Sequence, residues 1–309
     1  MTEAAASITQ SFKIMGGPAR LTVNTTCHDT RASEAALENA RARLDELETR
    51  YSRFKQDSIV AQINARAGSG IFTPIDLEMH SLITLAQQLW HETGGLFDPT
   101  VGVLNQVWDF RAGQAKDPER LRSLLEKVGW DKVEWDERGI HLPQTGMELD
   151  LGGLVKEFAA DAVAAMLREA GCTSALVELA GDIVAVGGQR HEKAWQIGIK
   201  DPKNPANSIA SVQLFDAAIC SSGNYARRFL YHGKSVSHLL HPHTGQPIEG
   251  PCSVSVIAES ALMAGALATA ACLHNVVDAK DWLDQSELPW LMVDDENQCL
   301  GPIWSATSQ

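Results

Sequence analysis

The chain has 309 residues, of which 44% are hydrophobic and 21% charged, an ordinary globular balance with enough residues for one large domain or two smaller ones. Its formal net charge of -13 argues against nucleic acid or an anionic membrane surface as a partner. An anionic small ligand would therefore need local help from backbone N–H groups, a lysine or a metal ion.

Residues 1–17 contain neither a basic nor an apolar signal region, and no stretch approaches about 18 apolar residues. We therefore expect no signal peptide and no membrane span. The six cysteines form no C-x-x-C pair, which is typical of free thiols in a reducing compartment. The expected location is cytoplasmic, or periplasmic if a leader has been removed.

In the first half of the chain, Ser33 can cap a helix whose Ala and Leu residues share one face, and Gly94 with Gly95 ends a second helix. The predicted elements are a strand over 11–27, a helix over 33–50, a polar loop, a helix over about 77–93, a helix over 117–128 and two short strands within 132–150.

The second half opens with an amphipathic helix over 154–171 that Gly171 ends. Helices and strand groups then mix without regular βαβ alternation, so we predict an α+β fold with a largely antiparallel sheet. The later predicted elements are strands at 174–179, 183–187, 194–200, 209–215 and 218–221, a hairpin over 228–240, a strand over 253–258, helices over 260–274 and 277–284, and one or two strands around 290–300.

Two glycine-rich blocks could bring backbone close to a ligand. In residues 94–100 the glycines and Asp98 suit a binding loop, but they also suit a plain helix end. In residues 149–156 a strand enters a glycine pair and opens a helix, whose free N–H groups could hold a phosphate together with Lys156. A simple turn also explains this block, because it matches neither G-x-G-x-x-G nor a P-loop.

Three further blocks are polar or small. Residues 220–225 place serines at a strand end but lack the nucleophile-elbow pattern. Residues 238–245 hold three histidines, which favour one ligand-contacting histidine over a metal triad because Pro242 interrupts the strand. Residues 264–269 have small side chains in a predicted helix. Close packing explains this composition without any further function.

The order of the blocks is more specific than any one of them. In sequence they are Met15-Gly16; Ser52-Arg53-Phe54 with Ser58 and Asn64; Gly94 to Pro99; Asp150 to Lys156; Gly181-Asp182-Ile183; Ser222 to Tyr225; His238 to Gly245; and Ala264 to Thr269. This succession, over roughly residues 12–275, resembles the ApbE-type family of FAD:protein FMN transferases.

The resemblance implies a T-fold-like α+β architecture in which residues 1–309 form a single domain of two interleaved lobes, with FAD in the cleft between them. It implies a Mg²⁺-dependent transfer of FMN from FAD to a Ser or Thr of a target flavoprotein, with release of AMP. His238 would be the catalytic residue, and the carbonyl of Gly153 and the side chain of Thr269 would hold the metal. The residues implied for the FAD site are Met15, Phe54, Leu96, Phe97, Asp98, Asp150, Lys156 and Leu240.

The chain departs from the family pattern at the metal site. The family has Asp at the position of Gly265 and usually at that of His241, and Gly is common at the position of Glu157. A glycine offers no carboxylate, whereas Mg²⁺ is normally held by at least one carboxylate together with phosphate. Another carboxylate could complete the site, and the candidates are Asp182, Glu178 and Glu157.

Three functions follow from the resemblance. The first is a working transferase whose metal site is completed by another side chain. The second is FAD binding without the metal-dependent step, and the third is hydrolysis of FAD to FMN and AMP. The retained His238, Thr269, Asp150 and Lys156 favour the first function, whereas the loss of two expected aspartates favours the second.

Overall fold

The computed structural model describes residues 6–25, 30–110, 112–189, 193–225 and 228–307. The strands are β1 (Ala6–Ile14), β2 (Gly17–Thr25), β3 (Trp108–Asp109), β4 (Gln114–Ala115), β5 (Glu134–Asp136), β6 (Gly139–His141), β7 (Ala175–Leu179), β8 (Asp182–Val186), β9 (Trp195–Lys200), β10 (Ser208–Leu214), β11 (Ala218–Gly223), β12 (Arg228–Tyr231), β13 (Lys234–Ser237), β14 (Ser253–Ala258), β15 (Trp290–Val293) and β16 (Cys299–Leu300).

The central element is an eight-stranded sheet in the order β1-β2-β7-β8-β11-β14-β15-β16. Each neighbouring pair in this sheet is antiparallel, which confirms the predicted α+β class with a largely antiparallel sheet. The helices are α1 (Thr30–Tyr51), α2 (Ile59–Ala65), α3 (Leu77–Glu92), α4 (Leu121–Leu125), α5 (Val155–Glu169), α6 (Ala261–Cys272), α7 (Val276–Gln285) and α8 (Pro302–Thr307). No helix in the described part of the chain is apolar over a length that would cross a membrane.

The two faces of the sheet are covered differently. Helices α1, α5 and α6 pack on one face, where Val184 and Val186 join the largest hydrophobic core. Because side chains alternate along a strand, Ile183 and Ala185 point to the opposite face. There they pack with Trp195 of the β9–β10 hairpin in a second core.

A third hydrophobic cluster lies beside the site described below. It contains Val103, Leu104 and Trp108, which follow the F-D-P block, together with Leu124 of α4. Leu240 of the histidine-rich segment completes it. The cluster therefore fixes two of the predicted blocks against each other.

Two details differ from the prediction. The segment 11–27 is a hairpin rather than one strand, because Met15 and Gly16 adopt positive φ angles of 49° and 77° and reverse the chain; residues 26 and 27 lie outside the described part. The polar loop before α3 contains the short helix α2, which Ser58 caps by accepting a hydrogen bond from Ala61 N.

Candidate functional site

One end of the central sheet collects several of the predicted blocks. The β1–β2 hairpin turns at Met15-Gly16 and the β7–β8 hairpin at Ala180-Gly181. The two turns are neighbours, since the backbone N of Ala180 donates to the carbonyl of Pro18 at 2.8 Å. Because β11 is antiparallel to β8, residues 221–223 reach the same end of the sheet.

The F-D-P loop and the D-L-G-G turn form one unit in front of α5. The backbone N of Asp150 donates to the carbonyl of Pro99 at 2.8 Å, and Oδ1 of Asp150 accepts from Gly152 N at 2.9 Å. The ring of Phe97 covers Gly153 so closely that a Cβ added to this glycine would lie 3.3 Å from it. The glycine is therefore needed where the loop crosses the start of the helix.

Asp98 organises this loop from within. Its Oδ1 accepts from the backbone N and the hydroxyl of Thr100 at 2.7 and 2.6 Å, and its Oδ2 accepts from Trp130 N at 2.9 Å. Burial raises the pKa of the Asp98 carboxyl, while these three hydrogen bonds act in the opposite direction. The neighbouring Leu96 is half-buried.

An arginine and an exposed aromatic ring lie next to Asp150. Nη1 of Arg53 lies 3.2 Å from Oε2 of Glu148 and 3.5 Å from Oδ2 of Asp150. The ring of Phe54 is 81% exposed, and the Arg53 guanidinium lies 5.0 Å from its centroid. Arg53, Phe54 and Glu148 line an open depression of about 340 Å³. An exposed ring at such a depression is suited to stacking on a planar ligand.

Asn64 connects helix α2 to the irregular segment that leads into Asp150. Its Nδ2 donates to the carbonyl of Leu149 at 3.0 Å, and its Oδ1 accepts from Leu149 N at 2.7 Å. We expect Asn64→Ala to lower the free energy of unfolding by about 2 kcal/mol, because two buried backbone groups lose their partners. Urea denaturation measures this loss. The control Gln62→Ala, at an exposed position of the same helix, should change it by less than about 0.5 kcal/mol.

The histidine-rich segment faces the same region. The His238 ring lies 6.4 Å from that of Phe110, and Trp108 Nε1 donates to the carbonyl of Gly245 at 2.8 Å. The backbone N of His243 donates to Nδ1 of His241 at 3.2 Å. Burial, followed by the nearby His243, lowers the pKa of His241, so this ring serves as a neutral hydrogen-bond acceptor within its turn.

A buried charged trio lies where α5 meets the sheet end. Nζ of Lys156 lies 2.7 Å from Oε1 of Glu157 and also contacts Oδ2 of Asp182. The side chains of Glu157 and Asp182 are 7% and 3% exposed. Two carboxylates thus face one ammonium, and one negative charge is left over in a buried place. This arrangement favours a cation as a further partner.

Helices α5 and α6 pack side by side in a regular register. Asp161 of α5 accepts hydrogen bonds from the backbone N of Ala261 and of Leu262 at 2.7 and 2.8 Å, at the start of α6. One turn along each helix, Glu157 lies against Gly265, where an added Cβ would be 3.1 Å from Oε1 of Glu157.

If the same register continues, Thr269, a further turn along α6, is expected on the side of Gly153, which precedes α5. The two residues that the resemblance implies as metal ligands therefore belong to the same helix pair as Glu157. Among the described residues, no group of three or more His, Cys, Asp or Glu side chains is placed to hold a metal. The donor set suits a cation shared with a ligand's phosphates, the way Mg²⁺ is commonly bound.

Comparisons with known proteins agree with this geometry. The sequence profile of the ApbE family matches residues 15–292. The chain belongs to the ApbE family. Among curated relatives, the FAD:protein FMN transferase of Treponema pallidum is 33% identical over 76% of this chain and 70% of the relative, and that of Haemophilus influenzae is 31% identical over 78% and 72%. Among solved structures, the ApbE protein of Thermotoga maritima superposes with a TM-score of 0.83 at 28% identity, over 96% of this chain and 97% of the other.

The structure brings the blocks of this ApbE-family chain together in one continuous series of contacts. The sequence offered Glu157 as one of three carboxylates that could complete the site, but gave no indication that it is the direct neighbour of Gly265. Part of this relation could be read from helical spacing. Positions 157 and 161 lie one turn apart on α5, and positions 261 and 265 lie one turn apart on α6. What remained hidden was that Asp161 caps α6, which sets the register.

Proposed function

We propose that this chain transfers the FMN part of FAD to a Ser or Thr hydroxyl of a target flavoprotein and releases AMP. The observation that carries the proposal is the convergence of the blocks scattered over residues 15–269 on one sheet end and one helix pair. The names of the similar relatives, FAD:protein FMN transferase, support it.

In this reaction the acceptor oxygen forms a bond to the FMN phosphorus, and the bond from that phosphorus to the bridging pyrophosphate oxygen breaks. AMP leaves with the bridging oxygen, and the acceptor hydroxyl loses its proton. Mg²⁺, when bound, neutralises charge on the pyrophosphate. Phosphoryl transfer depends mostly on positioning and charge neutralisation, which a rigid helix pair and sheet end are suited to provide.

In this proposal different residues contact different parts of FAD. The aromatic and apolar side chains hold the flavin and adenine, and the cationic Lys156 addresses the pyrophosphate. His238 is the catalytic residue next to the pyrophosphate, and Lys156 supplies a point charge from the first turn of α5. The FAD-contacting set is Met15, Phe54, Leu96, Phe97, Asp98, Asp150, Lys156 and Leu240, and the carbonyl of Gly153 and the hydroxyl of Thr269 contribute to the metal site. A cleft between two lobes is part of the same proposal.

The test is incubation of the purified protein with FAD and an acceptor flavoprotein expressed without flavin, with Mg²⁺ or with EDTA. AMP is measured by chromatography, and FMN on the acceptor by its fluorescence in a denaturing gel. We expect Mg²⁺-dependent AMP release with fluorescent acceptor, and no labelling of an acceptor whose Ser or Thr is replaced by Ala. His238→Asn should lose at least about 100-fold in rate while it still binds FAD.

Other outcomes of this experiment would reject transfer. AMP and free FMN without labelled acceptor would indicate FAD hydrolysis. Tight FAD binding without AMP, with each acceptor and with Mg²⁺ present, would indicate a flavin-binding protein that has lost the metal-dependent step.

A further inference from the structure

We propose that Glu157 is the carboxylate ligand of the divalent cation at this site, reaching from α5 into the space that a side chain at position 265 would occupy from α6. This inference rests on the proposed function, because the FAD pyrophosphate supplies the remaining ligands. In this inference Gly265 is not simply a lost metal ligand. Its missing side chain leaves the space that the Glu157 carboxylate occupies.

The first support is steric. A Cβ on Gly265 would overlap Cγ of Glu157 and lie 3.0 Å from its Cδ. Real Cβ atoms do not approach side-chain carbons this closely in a packed interior, so Glu157 and a larger residue at 265 exclude each other. The Glu157 side chain therefore lies beside the α6 backbone, in the space that the Cβ of a larger residue at position 265 would occupy.

The second support is an unsatisfied buried atom. Oε1 of Glu157 accepts from Lys156 Nζ at 2.7 Å, but Oε2 is buried and has no hydrogen-bond partner among the described residues. A buried carboxylate oxygen without a partner is costly, and such oxygens in folded proteins usually have a water, an ion or a donor beside them. A cation at Oε2 would remove this cost and offset the remaining negative charge of the trio.

The other candidate carboxylates are less suitable. Oδ1 of Asp182 accepts from Ser221 N at 3.0 Å. Its Oδ2, like Oε2 of Glu157, is buried without a hydrogen-bond partner among the described residues, but unlike Oε2 it contacts the Lys156 ammonium as an ion pair. Glu178 pairs across the sheet with Ile183, whose side chain faces the β9–β10 hairpin, so Glu178 lies on the face away from α5 and α6. Its partner there is Arg20, with the charged atoms 3.8 Å apart.

The Glu157 carboxyl lies in the interior, with its side chain 7% exposed. Burial raises the pKa of the Cys220 thiol, and the charge of Glu157 raises it further. Cys220 lies beneath α6 and donates to the carbonyl of Ala261 at 3.3 Å. The carboxylate is therefore held between the two helices and the sheet, on the side where the register places Thr269.

The experiment is a titration of the purified protein with Mn²⁺, followed by electron paramagnetic resonance of the free ion, with Mn²⁺ alone and with Mn²⁺ plus saturating FAD. We expect the wild type to bind Mn²⁺ more tightly when FAD is present. Glu157→Gln should weaken Mn²⁺ binding by about 10- to 100-fold, the range typical of altered metal sites. Glu169→Gln, an exposed position at the end of the same helix, should leave it unchanged.

A conservative variant distinguishes the loss of a metal ligand from a folding defect in Glu157→Gln. Glu157→Asp keeps the charge but withdraws it by one methylene, and we expect it to fold and to bind Mn²⁺ with intermediate affinity. Unchanged Mn²⁺ affinity in Glu157→Gln, or no Mn²⁺ binding by the wild type with FAD, would overturn the inference. If Mn²⁺ binding follows the expected order but no acceptor is labelled, the transferase proposal fails and the ligand assignment stands.

Discussion

Gly265→Asp is expected to be less stable than the wild type by about 3 kcal/mol, although it introduces the residue that the family usually has there. The new Cβ would overlap Cγ of Glu157, so this buried side chain, 7% exposed, would have to shift. A second carboxylate would also be forced next to the first, and like charges at such a distance repel. Urea denaturation followed by circular dichroism measures the loss.

The paired exchange should reverse this loss. In the double variant Glu157→Gly with Gly265→Asp, the steric conflict is gone and one carboxylate again faces the site from α6. We expect its free energy of unfolding to lie within about 1 kcal/mol of the wild-type value, because one helix glycine is gained at 157 and one is removed at 265. Mn²⁺ binding with FAD should return, whereas the single variant Glu157→Gly should lack it.

A double-mutant cycle measures the interaction between positions 157 and 265 directly. The two substitutions should show a coupling energy of about 2 kcal/mol in favour of the pair, since residues in direct contact are not additive. Gly265→Ala serves as the steric control, because it adds the Cβ without a charge. Additive effects of Glu157→Gly and Gly265→Asp, or a stable Gly265→Asp protein that still contains Glu157, would contradict the packing.

Asp182→Ala is expected to lower the free energy of unfolding by about 2–3 kcal/mol, because a backbone N–H and a charged side chain each lose a buried acceptor. Asp182 is 3% exposed on its side chain, contacts Lys156, and accepts from Ser221 N at 3.0 Å. Its loss leaves the ammonium facing Glu157 alone and the Ser221 N–H without its acceptor. Chemical denaturation with a fluorescence readout from the tryptophans measures the change.

Two variants control for Asp182→Ala. Glu178→Gln removes an acid from the neighbouring strand, but the ion pair of Glu178 with Arg20, at 3.8 Å, is partly exposed, so the loss should be less than about 1 kcal/mol. Adding Lys156→Met to Asp182→Ala should cost less than the two single losses together, because the contact between these two side chains is then lost only once. Equal losses in Asp182→Ala and Glu178→Gln would show that the trio is not a buried network.

Periodicity and turn chemistry were enough to predict most elements. The helix over 33–50 was recognisable because its apolar residues repeat on one face, and the structure has it as Thr30–Tyr51. The hairpin within 228–240 was recognisable from His232-Gly233, which reverses the chain between β12 and β13. Met15 was missed as a turn residue, because a methionine rarely adopts positive φ and gives no signal of it.

For the site, the sequence by itself determined which residues belong together, since the order of the blocks identified the ApbE family and named both unusual positions, Glu157 and Gly265. Only the tertiary structure decided how those positions relate. Helix spacing fixes neighbours within α5 or within α6, but the pairing of the two helices depends on Asp161 capping α6, a contact between residues 100 positions apart. The tertiary structure also decided which carboxylates can face the helices. Because side chains alternate along a strand, Asp182 points toward the helices and Glu178 points away from them.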